Sequence, residues 1–202
     1  SKSLKTELDS VSYGVGYDLG LFLNQRNQIM ENTLDYDQVI AAILDLRDGK
    51  EKMGEEETYA FLNEYFSVRI PAKKLEAEAK YLAEIEKQEG VQKTESGLLY
   101  RIDREGEGAQ ATADTDVVLV NYEGKTRDAK VFDSSYEREE PISFPLNGVI
   151  KGWTEGMKLV KAGGQITLWI PSELAYGENG AGSDIGPNEA LEFKVELLEV
   201  NP

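Results

Sequence analysis

The side chains available for chemistry in this 202-residue chain are restricted, because it contains neither histidine nor cysteine. These two absences exclude a thiolate nucleophile, a Ser-His-Asp triad, an imidazole base and a zinc finger. Catalysis would have to use carboxylates, hydroxyls, lysines, backbone groups or the shape of a pocket alone. The lack of cysteine also excludes disulfides, which is compatible with any compartment.

Two local patterns resemble ligand sites, but their spacing argues against both. The glycine-rich segment 177–182 lacks the spacing and the following helix of a dinucleotide fingerprint, and it has no lysine for a phosphate loop. The acidic stretch 45–57 would place Leu44 and Leu46 at the first and third ligand positions of a calcium loop. We therefore expect neither a cofactor nor a metal.

The charge and hydropathy patterns exclude two classes of partner. The chain carries 22 Lys and Arg against 38 Asp and Glu, a net charge of −16. Such a field repels a phosphate backbone, so we expect no nucleic-acid partner. No apolar run approaches the roughly 20 residues of a membrane-spanning helix, so we expect no transmembrane span.

Composition changes near residue 90, from a helical part to a part of strands and turns. In the first part, a helix is predicted from an apolar stripe, a second from Asp35 to a stop at Gly49, and a third from Gly54. Pro71 should end or kink the third helix. The stripe of the first helix consists of Leu8, Val11, Val15, Leu19 and Phe22.

Residues 72–89 are strong helix formers closed by Gly90, and their thin apolar stripe suits a largely solvated rod between domains. The helices before this rod offer little core, and Gly16 and Gly20 favour close approach of another helix. We therefore expect a homodimer through the N-terminal helices, with packing onto the second domain as the alternative. The predicted domains are a helical dimerisation domain (1–70), a linking helix (71–94) and a β domain (95–202).

The second part predicts a small antiparallel β domain. Alternating apolar residues mark strands at 117–122 and 191–197, and a third follows the turn Gly163-Gly164. A short helical segment at 153–160 lies between them. The predicted fold class is therefore α+β, an antiparallel sheet wrapped on one short helix and preceded by an all-α domain and the linking helix.

The order of several short motifs in this part is more specific than any one of them. Val120-Asn121-Tyr122-Glu123-Gly124 is followed by Val131-Phe132-Asp133-Ser134-Ser135, Arg138, Val149-Ile150-Lys151-Gly152-Trp153, Ala175-Tyr176-Gly177, Ile185 and Leu191-Glu192-Phe193. From about residue 96 to residue 202 this order strongly resembles the FK506-binding-protein (FKBP) family of peptidyl-prolyl cis-trans isomerases. The first part resembles, more weakly, the N-terminal domain of two-domain bacterial members of the macrophage-infectivity-potentiator and FKBP22 types.

The resemblance implies an isomerase that rotates X-Pro peptide bonds in folding proteins and needs no cofactor. Its partners would be proline-containing polypeptide clients and macrocycles such as FK506 and rapamycin. The absence of histidine and cysteine is no obstacle, since rotation about an amide breaks no covalent bond. A holdase chaperone or binding module with the same fold and little turnover is the alternative.

The resemblance also assigns roles to individual residues. Trp153 would form the floor under the proline ring, and Tyr176 and the Ile185 backbone N–H would donate to substrate carbonyls. Asp133 would lie at the pocket edge, oriented by Arg138. The walls would be formed by Tyr122, Phe132, Val149, Ile150 and Phe193. Ile142 would belong to the substrate-binding surface, where many relatives carry an aromatic residue.

The compartment is an expectation from the start of the sequence and from the resemblance. The chain opens Ser1-Lys2-Ser3, without Met and without an apolar segment. We expect that a signal segment has been removed and that the protein is in the periplasm or the cell envelope, with the cytoplasm as the alternative.

Overall fold

The computed structural model describes residues 3–202, so Ser1 and Lys2 lie outside the described part of the chain. The chain divides into two compact units, the first ending at Phe66 and the second comprising Ser67–Pro202, which we call the sheet domain. The first unit contains three helices, which we call the helical arm: α1 (Glu7–Ile29), α2 (Tyr36–Asp48) and α3 (Glu55–Glu64).

The predicted start and end of the second helix and the predicted start of the third are confirmed. The Asp35 carboxylate accepts the backbone N–H groups of Asp37 and Gln38 at 2.9 and 3.2 Å, which satisfies donors that the first turn of α2 leaves free. Gly49 ends α2 with φ of 65°, a left-handed conformation that favours glycine. Helix α3 begins directly after Gly54.

The helical arm has no buried core of its own. None of the residues in α1, α2 or α3 is buried, and Leu8, at the start of the predicted apolar stripe, exposes 74% of its surface. A Cβ added to Gly16 or Gly20 would meet nothing within 4 Å. The close helix approach predicted at these glycines is therefore not made within the described residues of one protomer.

A π-helical turn (Tyr65–Arg69) connects α3 to helix α4 (Ile70–Glu86), which has Pro71 in its first turn. The third helix, which Pro71 was predicted to end or kink, is replaced by this π-helical turn a few residues before the proline. The interruption comes just before the proline because its ring crowds the preceding turn and its nitrogen has no hydrogen to donate. Helix α4 ends at Glu86, before the predicted residue 89.

Helix α4 is largely exposed, but it is not a free rod. Ile85 is buried in a small cluster with Leu99 and Trp169, and Tyr81 and Leu82 pack against this cluster. One face of the helix is therefore part of the sheet domain. Of the apolar stripe that suggested solvation, Leu82 packs on this cluster, whereas Leu75 remains half exposed.

The sheet of the second unit has seven strands, every pair of them antiparallel. Their order is β1-β2-β6-β7-β3-β4, and β5 pairs with β3. The strands are β1 (Gln92–Lys93), β2 (Leu99–Arg104), β3 (Val117–Thr126), β4 (Val131–Ser134), β5 (Ile142–Pro145), β6 (Gln165–Ile170) and β7 (Leu191–Val200). The α+β fold class is confirmed.

A short helix, α5 (Lys151–Gly156), covers one face of this sheet. A Cβ added to Gly152 would lie 2.4 Å from Ile170 Cγ2, and one added to Gly156 would lie 2.7 Å from both methyl groups of Leu168. The two glycines therefore let the helix backbone lie directly on strand β6. Trp153 lies between these two glycines in the sequence. The close packing of α5 on β6 therefore also sets the distance of Trp153 from the sheet.

No helix within residues 3–202 is long and apolar enough to cross a membrane.

Candidate active site

An apolar cavity of about 100 Å³ opens beside helix α5. Strands β3, β4, β5 and β7, helix α5 and the loop after β6 contribute to its wall. The lining residues are Tyr122, Phe132, Asp133, Phe144, Val149, Ile150, Trp153, Tyr176 and Phe193. Six of these side chains are aromatic and uncharged, so the cavity offers a group that fits it an environment with little water.

Trp153 is the central ring of this cavity. Only 4% of its surface is exposed, and it makes edge-to-face contacts with Tyr122, Phe144 and Phe193 at centroid separations of 5.2, 5.6 and 5.4 Å. Edge-to-face packing is the favoured geometry for aromatic pairs and holds each ring in place. The indole face is therefore a rigid surface at the base of the cavity.

One wall of the cavity depends on a glycine of strand β3. Phe132 and Phe193 pack edge to face with centroids 5.6 Å apart. A Cβ on Gly124 would lie 2.7 Å from atoms of both rings, closer than carbon atoms approach one another. Strand β3 therefore needs glycine at this position for the two rings to meet.

The polar edge of the cavity is a hydrogen-bonded triplet of Tyr122, Asp133 and Arg138. The Tyr122 hydroxyl donates to one oxygen of Asp133, and Arg138 Nη1 donates to the other at 2.6 Å. Arg138 Nη2 also donates to the Tyr122 hydroxyl oxygen at 3.0 Å. Each group thus holds the other two, and the Asp133 carboxylate has a fixed position at the rim.

This triplet shifts two pKa values in opposite directions. Burial acts to raise the pKa of Asp133, but the hydrogen bonds from Arg138 and Tyr122 outweigh it and hold the pKa below its ordinary value of 3.8. Burial, assisted by the hydrogen bond to Asp133, raises the pKa of Tyr122 to about 12. Near neutral pH the pair is therefore a carboxylate and a neutral phenol.

The structure brings together most of the residues that sequence analysis assigned to a site. Eight of the lining residues were predicted, and Arg138 contacts the cavity through Tyr122 and Asp133. Phe144 was not predicted. It lies two residues after Ile142 on strand β5 and therefore on the same face, and it lines the cavity where Ile142 does not. The alternation of β5 was the signal that could have identified it.

The Ile185 backbone N–H, which is predicted to donate to a substrate carbonyl, has a partner within the protein. Ile185 does not line the cavity, and its N–H donates to the carbonyl oxygen of Ala181 at 3.2 Å. This bond closes a small loop in which Ala181 N–H donates back to Ile185 at 2.8 Å. The amide is therefore occupied within the protein.

Tyr176 lies at the rim, after strand β6, and exposes 40% of its surface. Its position on the wall allows the hydroxyl to reach a group entering from solvent. The described part of the chain contains no group of three or more acidic side chains arranged to hold a metal ion.

Comparison with known proteins gives matches over both parts of the chain. Residues 108–198 match the family model described as FKBP-type peptidyl-prolyl cis-trans isomerase. Residues 8–102 match the model described as the domain amino terminal to FKBP-type peptidyl-prolyl isomerase.

Individual relatives are similar over nearly the whole chain. A probable FKBP-type isomerase FkpA of Neisseria meningitidis is 42% identical over 96% of this chain and 74% of its own length. A 22 kDa FKBP-type isomerase of Escherichia coli is 42% identical over 94% of this chain and 93% of its own. The crystal structure of FkpA from Escherichia coli superposes with a TM-score of 0.67, at 38% identity and covering 99% of both chains.

Proposed function

Because this chain belongs to the FKBP-type peptidyl-prolyl cis-trans isomerases, we propose that it rotates X-Pro bonds of polypeptides by receiving the proline ring in the aromatic cavity. The observation that supports this proposal is the rigid, almost fully buried indole of Trp153 at the base of a cavity with aromatic walls. A proline ring is apolar and flat enough to stack on such a surface.

The chemistry requires binding rather than bond breaking. Rotation about an X-Pro amide is opposed by a barrier of about 18–20 kcal/mol, most of it from amide resonance. The planar amide is more polar than the twisted one, which has lost much of that resonance. An apolar cavity therefore disfavours the planar ground state relative to the twisted transition state, and this difference lowers the barrier. The isomerase function needs neither histidine nor cysteine.

Within this proposal each part of the site has a distinct task. Trp153 supports the proline ring, and Val149 with the rings of Tyr122, Phe132, Phe144 and Phe193 excludes water from it. Asp133, held by Arg138 and Tyr122, presents a fixed negative charge beside the twisting amide. The Tyr176 hydroxyl binds a substrate carbonyl at the rim.

A backbone donor for a second substrate carbonyl is better supplied by Ile150 than by Ile185. Ile150 lines the cavity and immediately precedes helix α5, and no described residue accepts its N–H. The Ile185 N–H already donates to Ala181. A free amide at the cavity wall needs no rearrangement before it binds a carbonyl.

FK506 and rapamycin should occupy the same cavity. The volume of about 100 Å³ admits one ring of such a macrocycle, with the remainder of the molecule lying over the rim. Competition between FK506 and a proline peptide tests this assignment, and Trp153→Leu should weaken binding of both. Undiminished catalysis and ligand binding in a folded Trp153→Leu variant would show that the indole is only packing.

We propose further that two protomers associate through their helical arms. Apolar side chains are exposed all round α1, including Val11, Tyr13, Val15 and Tyr17, and a helix that is apolar on every side is normally enclosed. The open space over Gly16 admits a second backbone. Two sites in one dimer would hold a long unfolded client at two points, whereas a short peptide spans only one.

A proline-limited refolding assay with the full chain and with residues 67–202 tests both parts of this function. The cut is placed before Ser67 because removal of α4 would uncover Leu99 and Trp169. The shortened protein should be monomeric, retain activity on short peptides and accelerate protein refolding less. A holdase would show no peptide activity in either form, and equal refolding activity of the two forms would exclude client binding by the dimer.

The proposed compartment is the periplasm or the cell envelope, with the cytoplasm as the alternative. Cell fractionation of the source organism tests it, and recovery only in the cytoplasm would contradict it.

A further inference from the structure

The sheet domain contains a cavity larger than the aromatic one. A second cavity, of about 360 Å³, lies between helix α4 and the sheet, and it shares no residue with the aromatic cavity. Its volume is within the range of sites that bind small ligands or side chains. The lining residues are Leu75, Glu78, Ala79, Leu82, Glu86, Lys93, Gly97, Leu99, Pro171, Ser172 and Glu173.

A buried carboxylate in the wall of this cavity lacks a hydrogen-bond donor. Glu78 exposes only 6% of its surface. Its Oε1 accepts the Ser172 backbone N–H at 2.9 Å, but its Oε2 is buried and has no donor among the described residues. Buried polar atoms are nearly always paired, and an unpaired carboxylate oxygen costs more than a neutral one. The Glu78 carboxylate therefore has an unfilled requirement for a donor.

The rest of the cavity indicates which donor would fit. Leu75, Leu82 and Leu99 offer an apolar wall for an aliphatic stem. Glu86 and Glu173 add negative charge, and the lysine in the wall, Lys93, is itself within 3.4 Å of Glu86. The cavity therefore combines apolar surface with an excess of carboxylates, which complements a long side chain with a cationic end.

We propose that this cavity binds a lysine or arginine side chain of the polypeptide that the protein engages. The cationic head donates to the Glu78 carboxylate, and the stem packs on the leucines. The proposal rests on the proposed function only in taking a polypeptide as the ligand.

The position of the cavity favours a polypeptide over a free small cation. The segment 171–176 follows strand β6, and it contributes Pro171, Ser172 and Glu173 to this cavity and Tyr176 to the rim of the aromatic one. The segment 171–176 therefore borders both cavities. A client segment that places proline in the aromatic cavity can continue along residues 171–176 and place a basic side chain against Glu78.

Two matched peptides without proline test the cavity independently of catalysis. One has the sequence acetyl-Ala-Ala-Lys-Ala-Ala-amide, and the other has norleucine, which keeps the stem without the charge, in place of lysine. Each is titrated into isotopically labelled full-length protein and followed by NMR of backbone amides. The lysine peptide should shift the amides of Leu82, Gly97 and Ser172, and the norleucine peptide should bind at least tenfold more weakly.

Glu78→Gln should weaken binding of the lysine peptide at least tenfold, because it removes the charge while its amide oxygen can still accept the Ser172 N–H. Glu84→Gln is the matched control, since Glu84 is exposed on the same helix and does not line the cavity. Ala79→Phe, which fills the cavity from its wall, should also abolish binding and remains informative if Glu78→Gln unfolds.

Isomerase activity on a short proline peptide separates this proposal from the proposed function. Wild type, Glu78→Gln and Glu84→Gln should be equally active, since Glu78 does not line the aromatic cavity. Absence of isomerase activity in the wild type would contradict the proposed function, but it would not affect the result of the peptide titration. Equal affinity for the two peptides, equal binding by Glu78→Gln, or shifts outside the cavity would overturn the lysine site.

Discussion

The sheet domain and the helical arm differ in where their apolar side chains lie. In the sheet domain, Val118, Val120 and Leu168 have no exposed surface and belong to one continuous core. In the arm, residues of the same type, such as Val11 and Leu19, remain about half exposed. A side chain that stays in water contributes little of the roughly 25 cal/mol per Å² that burial provides. The sheet domain therefore gains this burial energy within one protomer, whereas the exposed apolar side chains of the arm gain little of it.

The largest expected effect falls in the core of the sheet domain. Trp153→Ala removes a buried indole and should lower the free energy of unfolding by about 3–5 kcal/mol. Urea unfolding followed by the fluorescence of Trp169 measures it. Leu46→Ala, in the arm, removes a side chain that is 67% exposed and should leave this transition unchanged. Equal losses would contradict the separation of the two units.

A charged substitution in the helical arm tests whether a second protomer covers the apolar surface of α1. Val15→Lys places an ammonium group in the apolar surface of α1, and its burial between protomers should weaken dimerisation by roughly 100-fold or more. Light scattering over a range of protein concentrations measures the change. Gln88→Lys, at an exposed site outside the arm, is the control for the added charge. A wild type that is monomeric at every concentration would refute the dimer.

Substitution of one glycine in each region also distinguishes the packed sheet domain from the exposed arm. Gly124→Ala brings a methyl group against Phe132 and Phe193 and should cost about 1–3 kcal/mol, together with a loss of isomerase activity as the rings separate. Gly54→Ala, before α3, meets nothing within 4 Å and should leave both properties of the sheet domain unchanged. Full activity of Gly124→Ala would show that the ring contact is not needed.

The smallest expected effect is the response of the site to pH. The lowered pKa of Asp133 contributes stability above its unfolded pKa, and this is lost as pH falls through the folded value below 3.8. The raised pKa of Tyr122 contributes stability below its ordinary value of 10.0, and this is lost as pH rises toward about 12.

Neither Asp133 nor Tyr122 titrates between its lowered and raised pKa, respectively, and the chain has no histidine. Activity on a short peptide should therefore be constant from about pH 5 to about pH 9. Initial rates in buffers of constant ionic strength measure this. A bell-shaped profile would indicate proton transfer and contradict catalysis by binding alone.

Much of the fold was predictable because its signals are local. The cap at Asp35, the stop at Gly49 and the interruption before Pro71 each depend on the backbone chemistry of one residue. The alternation along β3 depends only on the two-residue repeat of a strand. Such features form independently of the contacts that the rest of the chain makes.

The amino-acid composition limits which chemistry is possible, since the absence of histidine and cysteine restricts the site to shape and fixed polar groups. Tertiary structure alone decided which neighbours each residue has. Strand alternation puts Ile142 and Phe144 on one face of β5, and the tertiary structure placed only Phe144 in the cavity. It packed one face of α4 on the sheet. It also left Glu78 buried with an unpaired oxygen. These outcomes depend on contacts between residues distant in sequence, which the spacing of residue types along the chain does not specify.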